Sequence, residues 1–152
     1  MNNALMFSSK SDEWETPQDL FAALHAEFDF GVDLACTAAN AKLLHGYTKE
    51  HDALTHPWTQ NTIKRGWLNP PYSRGLCAKF IAKAAAERLK GFLTVMLLPA
   101  CTDTKAFHAY IWDAEKHQPR EGVEVRFLKG RLKFGGCKDA APFPSMVVVF
   151  RP

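Results

Sequence analysis

Asn69-Pro70-Pro71-Tyr72, directly after Trp67-Leu68, is the stretch whose residue types could do chemistry. Neither proline carries a backbone N–H, and each biases the residue before it toward an extended conformation. The tetrapeptide therefore presents acceptors, the Asn69 side-chain oxygen and the Pro70 carbonyl, with the ring of Tyr72 beside them. Two converging acceptors suit an exocyclic amino group on an adenine. Its lone pair is delocalised into the ring, so it is a weak nucleophile, yet it has two hydrogens to donate. Holding both localises the lone pair toward an electrophile, which is transition-state stabilisation by preorganised dipoles. The chemistry implied is amino-group methylation by in-line transfer from a sulfonium donor, with no covalent enzyme intermediate. Tyr72 would stack on a base drawn out of its helix. The plain structural alternative is a strand end, a Pro-Pro turn and a surface tyrosine.

The flanking pattern supplies elements to hold this loop. Trp67-Leu68 closes a buried strand. Upstream, Thr16 is placed to cap a helix over 17–28, with Pro17 at its first position and Asp19 completing a capping-box-like pattern. Leu20, Phe21, Leu24 and Phe28 recur at helical spacing and predict its core face. Residues 30–36 read as a short buried strand carrying Asp33. Ligands of open α/β sheets bind at the carboxyl ends of strands, so Asp33 and Thr37-Ala38-Ala39-Asn40 are placed to meet a cofactor, or Asp33 merely caps the next turn. From 41 to 63 the chain is polar and turn-rich. There Asp52 could contact an adenosine moiety or the target, or be an ordinary solvated acid.

Leu76 to Leu89 predicts a second helix, and Phe92 to Leu98 a central strand buried on both faces. Thr102-Asp103-Thr104 can cap a helix containing Phe107, Tyr110, Ile111 and Trp112, ending before a turn-rich 116–122. Residues 123–128 and 145–150 read as the strands of a long hairpin. Between them Lys129, Arg131, Lys133 and Lys138, interleaved with Leu132 and Phe134, make a nucleic-acid-facing arm or a solvated edge loop. Arg74, just beyond Tyr72, joins them as a candidate DNA contact.

Length and composition fit one domain, 13–152, after a lead-in over 1–12 that is read as flexible. The chain has 152 residues, 47% hydrophobic, with a formal charge of +3, which permits nucleic-acid binding without demanding it. No apolar run reaches membrane-spanning length and no secretion signal is legible, so the expected location is the cytoplasm, of a bacterial host if the gene is carried by a phage or prophage. Cys36, Cys77, Cys101 and Cys137 show no zinc-ligand spacing and are expected as free thiols without metal. No cysteine follows a proline, which argues against a cytosine C5 methyltransferase.

Thr16-Pro17, Asp33, Asp52, Asn69-Pro70-Pro71-Tyr72, Leu98-Pro99-Ala100, Thr102-Asp103-Thr104, Phe107-His108, Arg131-Leu132-Lys133-Phe134-Gly135-Gly136 and Ala141-Pro142-Phe143-Pro144-Ser145 follow one another in an order that resembles the phage-type DNA N6-adenine methyltransferases. The resemblance runs from about Asp12 to Phe150. It implies a Rossmann-like, S-adenosylmethionine-dependent methyltransferase fold, a compact single α/β sheet flanked by helices. It also implies DNA as partner, target-base binding at Asn69, Pro70, Pro71 and Tyr72, and cofactor contacts from Trp14, Thr16, Pro17, Asp33, Cys36, Asn40 and Asp52. Compared with larger adenine methyltransferases the chain has no glycine-rich loop after Asp33 and no room for a separate target-recognition domain. Two alternatives follow. One is a non-catalytic DNA-binding module on a methyltransferase-like scaffold; the other is methylation of an RNA adenine or a protein glutamine, which also present planar NH2 groups.

Overall fold

The computed structural model describes residues 14–59, 62–73 and 75–152; the expected lead-in and Arg74 lie outside the described residues. Five strands form one mixed sheet. They are β1 (Val32–Asp33), β2 (Arg65–Leu68), β3 (Leu93–Pro99), β6 (Val123–Phe127) and β7 (Ser145–Phe150), in the spatial order β1-β2-β3-β7-β6. β1, β2 and β3 are parallel, and β7 runs antiparallel to both of its neighbours. Helix α1 (Gln18–Phe28) precedes β1, and helix α2 (Leu76–Arg88) connects β2 to β3. A separate two-stranded ribbon pairs β4 (Trp112–Asp113) with β5 (Gln118–Pro119).

Strand alternation sorts the sheet's side chains into two cores. Trp67, Val95, Leu97, Val147 and Val149 pack with Phe21, Leu24 and Phe28 of α1. Leu68, Met96, Leu98, Met146, Val148 and Phe150 pack with Phe80, Ile81 and Ala84 of α2. Successive residues of a strand face opposite sides, so the apolar runs of β3 and β7 serve both layers at once. The expected flanked α/β sheet is present, with β3 at its centre.

Several local expectations are corrected. The strand expected over 30–36 is only Val32–Asp33, because the chain turns back beside it: Asp33 N–H donates to His45 O and Tyr47 N–H to Asp33 O. Thr16 does not cap α1; Pro17 holds the cap position without a side-chain bond, and the Thr16 hydroxyl is engaged elsewhere. Thr104 does cap, its hydroxyl accepting from Phe107 N–H at 3.1 Å, but the helix it starts ends in a single π-helical turn, Phe107–Ile111. Trp112 leaves that turn as the first residue of β4.

The hairpin of β6 and β7 forms as expected. Its connection is not a projecting arm. Phe134, Ala141 and Phe143 are buried in the α1-side core, and Gly135 bridges antiparallel to Glu15. Apolar side chains interleaved with the lysines and arginine fold this segment back onto the sheet.

Gly66 in β2 is needed for space. A Cβ there would lie 2.7 Å from Leu34 Cδ1 and 2.9 Å from two ring carbons of Phe92, both buried. Gly66→Ala is expected to lower unfolding free energy by about 1–3 kcal/mol through overpacking, read as a reduced denaturant midpoint with an unchanged slope.

Candidate active site

The parallel strands place the site. Asp33 lies opposite Trp67 in the β1–β2 register, and Asn69 follows just beyond the end of β2. A cleft of about 510 Å³ opens there, lined among others by Trp14, Thr16, Asp33, Cys36, Asn40, Asp52, Asn69, Pro70 and Pro71. This is the carboxyl-end crevice where open α/β sheets bind ligands. The structure thus gathers six of the seven expected cofactor residues with the first three of the tetrapeptide. Pro17 is not among the lining residues; its carbonyl accepts the Phe21 N–H of α1.

At the centre is the Asn69 amide. Its Nδ2 donates to the Trp14 carbonyl and, at 3.0 Å, to the Thr16 hydroxyl. A backbone carbonyl can only accept, so this pair fixes which end of the amide is nitrogen. Asn69 Oδ1 then faces away from both, and it is buried without a hydrogen-bond partner. A desolvated, unmet acceptor costs about 1–3 kcal/mol, a cost that catalytic groups sustain for a ligand.

The residues 14–16 are held down by aromatic packing. The Trp14 ring meets Phe134 and Phe143 edge-on, with centroids 5.4 and 5.2 Å apart, and Gly135 N–H donates to Glu15 O. Tyr72 joins the same cluster, edge-on to both phenylalanines, and its hydroxyl donates to Leu97 O at 3.0 Å. Tyr72 is fully buried. The expectation that it presents a face to an extruded base is therefore not met in this conformation, since both sides of its ring are enclosed. Burial also pushes its hydroxyl well above the usual range.

Asp33 is an acid built into the cleft wall. Its carboxylate accepts from Ala35 N–H at 3.3 Å and Lys42 N–H at 3.0 Å, fixing the loop that replaces a glycine-rich turn. Burial pushes its carboxyl up to about 6, with the Lys42 and Ala35 N–H groups pulling the other way. Asn40 and Thr37 close that loop reciprocally: Asn40 Oδ1 accepts from Thr37 N–H, and Thr37 Oγ1 from Asn40 N–H. Asp52 sits at φ 44° and caps a short 3-10 turn, Ala53–Thr55, through Leu54 N–H. Burial, with the nearby Asp33 charge adding to it, raises the Cys36 thiol to about 11. All four cysteines are free, and no cluster of metal-ligating side chains occurs among the described residues.

Lys129, Arg131, Lys133 and Lys138 are exposed, on the segment whose Gly135 pairs with Glu15. Two further features escape sequence reading. Lys42, Lys49 and Lys79 line the cleft with positive charge. Glu87 is fully buried on α2, accepting from Trp58 N–H at 2.8 Å with Lys83 at 3.2 Å, and ties down the loop whose Ala53 and Leu54 line the cleft. In the sequence Glu87 is one charged residue among others on a helix, a pattern common to solvated helix faces, so nothing local marked it as buried.

Two outcomes follow for Tyr72 and Asp33. Tyr72→Phe keeps the ring but removes a buried hydrogen bond, and should lower stability by about 1 kcal/mol in denaturant unfolding. Asp33 has a folded pKa above its unfolded value, so its stabilising contribution is complete below about pH 4 and lost as pH rises through about 6. The stability of the protein relative to Asp33→Asn should therefore increase by up to about 3 kcal/mol between pH 7 and pH 4, measured by paired unfolding curves.

Comparison with known proteins agrees with this geometry. The family model described as DNA N-6-adenine-methyltransferase (Dam) matches residues 4–152. The chain is similar to the DNA N-6-adenine-methyltransferase of Haemophilus phage HP1 (strain HP1c1), 29% identical over 95% of this chain and 81% of the relative. It is also similar to the DNA N-6-adenine-methyltransferase of Escherichia phage T1, 34% identical over 92% of this chain, which spans 63% of that relative's length. With the family model covering nearly all of the sequence and a methyltransferase-like sheet behind the Asn69 cleft, the chain belongs to the DNA N-6-adenine-methyltransferase (Dam) family.

Proposed function

We propose that this chain transfers a methyl group from S-adenosylmethionine to the exocyclic amino group of an adenine in DNA, with Asn69 Oδ1 as the acceptor that orients that amino group. As a family member the protein is an adenine-specific DNA methyltransferase. The single observation that carries the assignment of the site is the buried, unpartnered oxygen of Asn69 at a cleft on the strands' carboxyl ends.

The residues present fit the donor. The cleft is of ligand size, and its wall carries the Asp33 carboxylate, the Asp52 acid and three lysines, a donor and acceptor set suited to a zwitterionic nucleoside derivative. When bound, S-adenosylmethionine supplies an electrophilic methyl group on sulfur. The chain's own work is to orient. Asn69 Oδ1 and the Pro70 carbonyl accept the two amino hydrogens, which turns the nitrogen lone pair toward the methyl carbon. The new C–N bond forms as the S–C bond breaks, and one held hydrogen then leaves as a proton to water. Tyr72 supports the loop from beneath, through its bond to Leu97 O. The adenine must leave its stack to reach this depth. Lys129, Arg131, Lys133 and Lys138 would then meet phosphates at the mouth, and Arg74 is a further candidate contact. Such a reaction needs the protein to meet DNA, in the cytoplasm of a bacterial host if the gene is carried by a phage or prophage.

The test is methyl transfer from labelled S-adenosylmethionine into unmethylated bacterial DNA, followed by nucleoside analysis. Label is expected in N6-methyldeoxyadenosine, and Asn69→Ala should reduce turnover by at least about 100-fold while S-adenosylhomocysteine still binds by calorimetry. Normal turnover by Asn69→Ala, or label only in RNA or protein glutamine controls, would overturn the assignment.

A further inference from the structure

We infer that Thr16 is a positioning residue for catalysis: its hydroxyl, together with the Trp14 carbonyl, locks the Asn69 amide so that Oδ1 and not Nδ2 faces the target amino group. This gives Thr16 a role toward Asn69 in place of the cofactor contact that the resemblance implied, and it rests on the proposed role of Asn69.

A primary amide has two ends of nearly equal shape and opposite hydrogen-bonding character. In the flipped state Asn69 would aim N–H donors at an amino group that itself donates, and the nucleophile would be repelled. Nothing inside Asn69 selects between the two states. The selection comes from two acceptors, the Trp14 carbonyl and Thr16 Oγ1, both taken by Nδ2. Thr16 is 4% exposed, so water does not compete for this bond. The side chain is free to do this because Thr16 does not cap α1, where Pro17 stands instead.

The lock reaches further through the fold. Residues 14–16 have no helix or sheet of their own. Their place is set by the Glu15–Gly135 bridge and by Trp14 against Phe134 and Phe143. The segment bearing Lys129, Arg131 and Lys133 therefore also carries the packing that fixes Asn69.

Thr16→Val removes the hydroxyl at nearly constant volume, Thr16→Ala removes it without adding an apolar branch, and Thr16→Ser retains it. Each is compared with the unsubstituted protein and Asn69→Ala for kcat, for KM toward unmethylated bacterial DNA, and for S-adenosylhomocysteine binding by calorimetry. Thr16→Val and Thr16→Ala are expected to lower kcat by about 10–100-fold, with S-adenosylhomocysteine affinity held within about twofold, and Thr16→Ser to recover most of the rate. Wild-type kcat in the variants lacking the hydroxyl, a loss matched by weaker S-adenosylhomocysteine binding, or a Thr16→Ser variant as slow as Thr16→Ala would each overturn the inference. An active Asn69→Ala variant would instead overturn the reading of Asn69 itself.

Discussion

The Asn69 amide is the point on which the structure turns, because its two donors are spent on the protein's own backbone and on Thr16 while its acceptor is left unmet. Buried polar groups are almost always paired, so an acceptor left unpaired beside a ligand-sized cleft calls for an explanation. Here the cost is borne by the surrounding packing. Trp67 and Leu68 anchor one side of the loop in the two cores, and Tyr72 anchors the other in the aromatic cluster. Between these fixed points, Asn69 and Pro70 have little freedom to relax toward a compensating bond.

The sheet's topology explains why Asp33 and Asn69 meet at one cleft. β1 and β2 are adjacent and parallel, so Asp33 and Asn69 emerge at the same end. The antiparallel β7 then brings the chain back beside β3, and the connection before it passes over the α1 side to reach residues 14–16. A core-packing role and a cationic face coexist in that connection without conflict. Leu132 and Phe134 pack on the core while Arg131 and Lys133 stay exposed, an in-out alternation that gives one extended segment both a structural side and an exposed cationic side.

The loop after β1 shows how a chain without a glycine-rich turn can still shape the wall of a cleft. Close backbone approach by glycine is replaced by side chains that bond the backbone: Asp33 holds Ala35 and Lys42, and Thr37 and Asn40 close on each other. The alanines of this loop are not called upon for positive φ, since the only non-glycine residues with positive φ among the described residues are Asp29, Asp52 and His117. The missing glycines thus reflect a different way of shaping the loop.

Much of this was legible in the sequence by itself. The apolar periodicities of 17–28, 76–89, 92–98 and 145–150 marked the helices and central strands, and Asn69-Pro70-Pro71 after an apolar strand marked the loop that the structure places at the cleft, because each of these signals is local. What only the tertiary structure decided is non-local. Nothing near Thr16 says that its hydroxyl serves a residue 53 positions away, and nothing near Phe134 says that it packs on Trp14. A threonine before Pro17 reads as a helix cap, and a phenylalanine among lysines reads as part of an arm, because local pattern weighs only neighbours in the chain. Tyr72 is the plainest case: an aromatic residue after two prolines can face outward or inward with equal local sense, and the Leu97 carbonyl and the two phenylalanines turn it inward.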